Sequence, residues 1–184
     1  DAGGIPLHAA CGLNTVATAK YLYQLYPESI NVAGNDGIRP IHMATAGLTH
    51  REDNHEASIE VVQFLLDCGA DVALHHDDEL PLYWVCVWAT DANTPKLNAY
   101  LKVLQILYDA HPEAIESNDV ASNVHRFHQQ EVRKFINTQL TYARQARDSS
   151  LMAARDESGQ LPLHKALREK VCLGSIKLLV KGNP

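Results

Sequence analysis

One stretch constrains this chain more than any other: Asn35-Asp36-Gly37-Ile38-Arg39-Pro40-Ile41-His42-Met43-Ala44, because copies of it recur along the 184 residues. Gly37 can take the positive φ that a tight turn needs. Pro40 brings a preset φ to a first helical turn, where its missing N–H has no helical partner to lose. The stretch therefore predicts a turn that runs straight into a helix. Gly3-Gly4-Ile5-Pro6-Leu7-His8-Ala9-Ala10 and Gly159-Gln160-Leu161-Pro162-Leu163-His164-Lys165-Ala166 carry Gly, Pro, His and a small residue in the same register. Two weaker copies lie between them. Asp78-Glu79-Leu80-Pro81-Leu82-Tyr83-Trp84-Val85 has Asp for Gly and Tyr for His, while Asn118-Asp119-Val120-Ala121-Ser122-Asn123-Val124-His125 keeps the Asn-Asp opening and the His but loses Gly and Pro. Measured at Pro6, Pro40, Pro81, Asn123 and Pro162, the steps are 34, 41, 42 and 39 residues. Such a period belongs to a solenoid array, in which each unit packs on its neighbours, and not to a single-core globule.

The motif resembles the T-P-L-H-x-A signature of ankyrin repeats, and Ile59 to Val72, ending in Cys68-Gly69-Ala70-Asp71-Val72, is similar to that family's second helix and closing turn. The likeness extends over the whole chain. The Thr before Pro is replaced by Ile5, Arg39, Leu80 and Leu161, with Ser122 in the fourth copy, so the hydroxyl that would meet the His is mostly missing. The resemblance implies an all-α solenoid of about five helix-turn-helix units with protruding β-turn or hairpin tips. The units fall at approximately 1–34, 35–75, 76–117, 118–156 and 157–184, the last one cut short.

Within this frame, Val16, Ala19, Leu22 and Leu25 predict a helix that closes at Pro27. Gly47 to Glu56 reads as an enlarged polar connection, and a second enlargement spans Thr90 to Asn93 before Thr94-Pro95 opens a helix through Leu107. Val132, Ile136, Leu140 and Ala143 predict one long outer helix, and Pro112 closes the third unit. The chain opens at Asp1 without a signal-like segment and stops inside a helical pattern, which reads as a piece of something longer. Ile176 and Leu179 are accordingly expected to face solvent where a further unit would stack.

Composition removes several function classes. No run approaches the length of a membrane span, and 16 Lys and Arg against 22 Asp and Glu, a formal charge of −6, provide no basic footprint for nucleic acid. Cys11, Cys68, Cys86 and Cys172 lack C-x-x-C pairing and sit in helical patterns, as free thiols do in a reducing, intracellular compartment. There is no phosphate-binding glycine loop, no H-E-x-x-H and no cofactor motif. Of the ten histidines, His8, His42, His125 and His164 occupy the motif position at which an imidazole ties a helix start to a neighbouring turn, so a structural role is expected. His8, His42 and His164 should be buried and hydrogen-bonded. The run His75-His76-Asp77-Asp78-Glu79 has metal-ligand residue types, but neighbours on an extended segment point apart, so a solvated tip is the expected reading.

The expected function is binding of a protein or peptide, without catalysis, cofactor or metal. The resemblance places the contact surface on the tips and on the inner face of the first helices. The tip positions are Asn35, Asp36 and Ile38; His76, Asp77 and Glu79; Asn118 and Asp119; and Glu157, Ser158 and Gln160, with Trp88 as an aromatic anchor on the inner helix. Because these tips lean acidic, a basic partner is expected. A metal-dependent enzyme built on His75 to Glu79, and a regulatory or spacer segment of a longer protein, stand as the alternatives.

Overall fold

The computed structural model describes residues 4–13, 15–34, 37–50, 54–74, 76, 79–90 and 94–182. Among them all regular structure is helical, apart from one antiparallel bridge between His76 and Glu79. Three helix pairs come first: α1 (Pro6–Leu13) with α2 (Val16–Leu25), α3 (Pro40–His50) with α4 (His55–Asp67), and α5 (Pro81–Trp88) with α6 (Thr94–Ala110). The motif prolines start α1, α3 and α5, as the spacing predicts. Side chains cap the second helices where no proline is present: Thr15 Oγ1 accepts from Thr18 N–H and Asn54 Oδ1 from Ala57 N–H. First helices stack on first helices (α1 on α3, α3 on α5) and second on second (α2 on α4, α4 on α6). One continuous core results, running from Leu7 through Ile41, Leu48, Leu65, Val85, Leu104 and Ile115.

The closing turn of the second pair is a helix C-terminus with a glycine in the left-handed region. Gly69 has φ 87°, its N–H bonds Leu66 O, and Ala70 N–H reaches back to Leu65 O. Asn31 locks the first pair to that turn, donating to Gly69 O at 3.1 Å and accepting from Asp71 N–H at 2.8 Å. The predicted Gly47–Glu56 connection is much shorter than expected. Helix α3 continues to His50 and α4 starts at His55, because Leu48 lies one helical turn beyond Ala44 and both are fully buried. At Pro27 and Pro112 the chain does not simply stop; it passes into one 3₁₀ turn each, Pro27–Asn31 and Pro112–Glu116.

The fourth copy departs from the pattern. Lacking the motif's Gly and Pro, it forms only the four-residue α7 (Asn118–Ala121) and a 3₁₀ turn, Val124–Arg126, where a first helix belongs. Phe127 fills the vacated core space, 2% exposed and tilted against Tyr83 at 6.0 Å between ring centroids. The long outer helix is present as α8 (Gln130–Arg147), with Val132, Ile136, Leu140 and Ala143 buried. It is followed by α9 (Ser149–Ala153), α10 (Pro162–Arg168) and α11 (Leu173–Gly182).

Helix α11 packs along α8 and also reaches α6. Ser175 Oγ lies 2.9 Å from Tyr108 Oη and donates to Gln139 Oε1 at 2.5 Å, while Gly174 N–H meets Asp109 Oδ1 at 2.6 Å. The expectation for the last helix needs correcting. Leu179 is fully buried with Tyr142, Met152 and Ala166, and the outward stripe is Leu173, half-buried Ile176 and Val180. The helix is turned inward because it packs on α8 and α6 together, so the side chain facing Ala166 is the one that leaves water.

Candidate functional site

Two of the tips share one hydrogen-bond pattern. Gly34 N–H donates to Ile38 O at 2.7 Å and Gly37 N–H to Gly34 O at 3.0 Å. At the fifth copy Asp156 N–H donates to Gln160 O at 2.9 Å and Gly159 N–H to Asp156 O at 2.8 Å. Gly37 and Gly159 have φ of 78° and 74°, which a side chain would strain. An arginine braces each: Arg39 donates to Gly37 O at 3.2 Å and Arg155 to Gly159 O at 2.7 Å. The third tip is tighter, since His76 and Glu79 exchange both backbone bonds at 2.9 and 2.8 Å.

Asn35, Asp36 and Asp77, with His75 and Asp78, lie outside the described residues. Glu157 and Ser158 are exposed at the fifth tip, and Glu79 and Gln160 are half-buried. Ile38 is half-buried, and its carbonyl accepts from His8 Nε2 at 2.9 Å. The half-buried His76 ring sits edge-on to Trp84 at 5.3 Å and to His42 at 6.0 Å. Both residues therefore also fasten their tips to neighbouring helices.

The fourth position is corrected. Asn118 and Asp119 stand in the first turn of α7 rather than in a protruding turn, and Asp119 Oδ2 accepts from Leu80 N–H at 3.0 Å. That carboxylate braces the start of α5. The cause is the missing Gly: without a residue suited to positive φ, the Asn-Asp pair starts a helical turn instead.

The motif histidines divide in the same way. His8 is buried and reaches the following tip. His42 is fully buried, and its Nδ1 accepts from Arg39 N–H at 3.3 Å, so the backbone N–H at the usual Thr position contributes where the hydroxyl is absent. His164 is exposed, against expectation, because no sixth tip follows it among the described residues to accept its ring N–H. His125 is exposed as well, on a 3₁₀ turn that has no helix start to tie.

Trp88 is 46% exposed near the end of α5, beside Val87 at 38%; the equivalent motif position on α1, seven residues after Pro6, holds Leu13, 66% exposed. Helices α1 and α5 thus each carry apolar side chains outward, whereas α3 exposes none. Sequence reasoning missed Leu13, Val87 and Asp156. Asp156 Oδ1 accepts from both Gln160 N–H and Ser158 N–H at 2.9 Å, and the Gln160 bond in particular holds its carboxyl below the usual carboxylate range. The signal was the Asp-x-x-Gly spacing, in which a carboxylate organises its own turn.

Among the described residues no three His, Cys, Asp or Glu side chains group to hold a metal ion, and no helix is long and apolar enough to cross a membrane. The four cysteines are free thiols, Cys11 and Cys86 buried and Cys68 and Cys172 half-buried. Burial pushes the Cys172 thiol up to about 11, which keeps it protonated at neutral pH.

Residues 36–77 match the family model described as ankyrin repeat. The match begins in the first glycine tip, takes in α3, α4 and the Gly69 turn, and ends in the third tip. No curated protein and no solved structure matches the chain. Ankyrin repeats are typically non-catalytic modules that bind proteins. The chain thus carries an ankyrin repeat at residues 36–77, and the regular structure of its described residues is helical apart from the His76–Glu79 bridge.

Proposed function

We propose that this chain is a non-catalytic protein-interaction module, a single array of about five units in which the last two are altered, and that it binds a basic peptide or protein surface along its tips and first helices. The observation that carries the reading is Trp88, an aromatic side chain left 46% exposed on α5, while its core-facing neighbours Val85 and Cys86 are fully buried. Interface energy concentrates in such anchors when a partner covers them. Val87 is exposed beside Trp88, and Leu13 is exposed at the equivalent position of α1. In sequence, Asp36, Asp77, Glu79 and Glu157 give the tip segments negative charge, most of it in the third, and Arg39 and Arg155 temper but do not cancel it. Charge of one sign along an edge steers association more than it adds affinity. Asp119 is left out of the charge-removing variant below, because its carboxylate accepts from Leu80 N–H and its loss would disturb the start of α5. The free thiols suit a reducing, intracellular compartment.

The test begins with a partner recovered by pull-down. Replacing Asp36, Asp77, Glu79 and Glu157 together by Asn or Gln should slow association about tenfold at low salt and flatten its salt dependence. Trp88→Ala should act on dissociation instead, speeding it about tenfold or more. Rates unaltered by both variants would remove the tips and α5 from the interface.

A further inference from the structure

The regular stacking of second helices stops at α6. Helices α2 and α4, and α4 and α6, pack directly, but the α6 and α8 backbones stand farther apart and meet through side chains such as Tyr108 edge-on to Phe135. Helix α11 is wedged between their later halves, anchored at Tyr108 of α6 and Gln139 of α8 through Ser175. The earlier halves consequently face each other across an open cleft of about 630 Å³, closed at one end by the turn between α10 and α11. None of its lining residues belongs to a tip or to the first helices α1, α3 and α5.

The cleft is built in two layers. Leu101, Phe135 and Val171, each half-buried, make an apolar floor. Above it stand Lys102 from α6, Lys134 from α8 and Lys170 from the connecting turn, and Glu131 is the one acidic residue in the lining. No carboxylate lies within ion-pair distance of these three ammonium groups among the described residues, whereas nearby Lys181 is paired with Glu113 and Lys177 donates to Asp109 O. Lys170 is also the one non-glycine residue with positive φ among the described residues, at 52°, a conformation that L-residues disfavour. Three unpaired cations above an apolar floor, on a chain whose formal charge is −6, are a local reversal of the molecule's field.

We propose that this cleft is a second docking surface, which takes an acidic amphipathic segment of a partner protein, with apolar side chains on Leu101, Phe135 and Val171 and flanking carboxylates on Lys102, Lys134 and Lys170. An apolar partner without charge would leave the ammonium groups unused, and a small anion would leave the floor wet. An acidic amphipathic segment satisfies both layers. The surface stands independently of the tips, and it selects the opposite charge.

The probe is a fluorescein-labelled peptide of about four helical turns, with leucines on one face and glutamates flanking them. Fluorescence anisotropy with the full chain should show saturable, salt-weakened binding. Lys102→Glu, Lys134→Glu and Lys170→Glu together should weaken it about tenfold or more. All three side chains are exposed, so the variant should fold as the parent does, and the corresponding Lys→Gln variant provides a milder second reading. Amide NMR shifts should fall on residues 98–105, 131–139 and 170–172 and spare 37–38, 76–79 and 157–160. A leucine-to-serine version of the probe should bind more weakly. Binding insensitive to both lysine variants, shifts outside the cleft, or no binding at all would overturn the proposal. So would a serine probe that binds equally while inorganic phosphate reproduces the same shifts, since that marks a small-anion site.

Discussion

Phe127→Ala is expected to destabilise the folded chain by about 3–5 kcal/mol, the range for deleting a large buried aromatic whose surroundings cannot collapse. The site leaves little room for relaxation. Phe127 is 2% exposed within the main core, stands against Tyr83, and occupies the place where the fourth copy lacks a first helix. Its carbonyl also accepts from Arg133 of α8, so the backbone there is held from both sides. The truncation would open a cavity between α5 and α8 with no helix nearby to move into it. Urea unfolding followed by far-ultraviolet circular dichroism measures the loss as a lower midpoint at constant slope. A shift under about 1 kcal/mol would show that the segment from α7 to α8 folds without its aromatic plug.

Gly174→Ala should cost about 3 kcal/mol, at the upper end for forcing an atom into a packed interface. A Cβ built on Gly174 falls 2.6 and 2.8 Å from Tyr108 ring carbons and 2.9 Å from the Tyr108 carbonyl oxygen. The ring cannot simply swing away, because its hydroxyl is held by Ser175 and its edge lies on Phe135 at 6.0 Å. Relief therefore requires α11 to move off α6, which breaks the Gly174–Asp109 bond as well. The same unfolding assay reports the cost, and amide exchange should quicken in α11 before the rest of the chain. An unchanged midpoint would mean that α11 does not sit between α6 and α8.

The regular part of the fold was legible because its determinants are local. Pro6, Pro40, Pro81 and Pro162 mark helix starts wherever they stand, and Gly37, Gly69 and Gly159 mark turns that only their missing side chain makes easy. The polar look of Thr49, His50 and the residues beyond hid how far α3 runs, since only the burial of Leu48, a tertiary fact, reveals it. The inward turn of Leu179, the exposure of His164 and the engagement of Asp119 depend on which neighbour is present. A motif read one copy at a time does not contain that neighbour. Acidic residues at tip positions could be read from the chain, and so could the Asp-x-x-Gly spacing through which Asp156 organises its turn, although that signal was missed. The lysine cleft was the least legible, because Lys102, Lys134 and Lys170 are scattered in sequence and meet only through the wedge made by α11.

Hydrogen–deuterium exchange on the chain, alone and saturated with a recovered partner, tests the central claim that recognition uses the tips and first helices. The account predicts slowed exchange at residues 37–38, 76–79 and 157–160 and along α5 around Trp88, with the outer faces of α2 and α4 unchanged. Protection confined to the second helices, with the tips and α5 exchanging as fast as in the free chain, would contradict it.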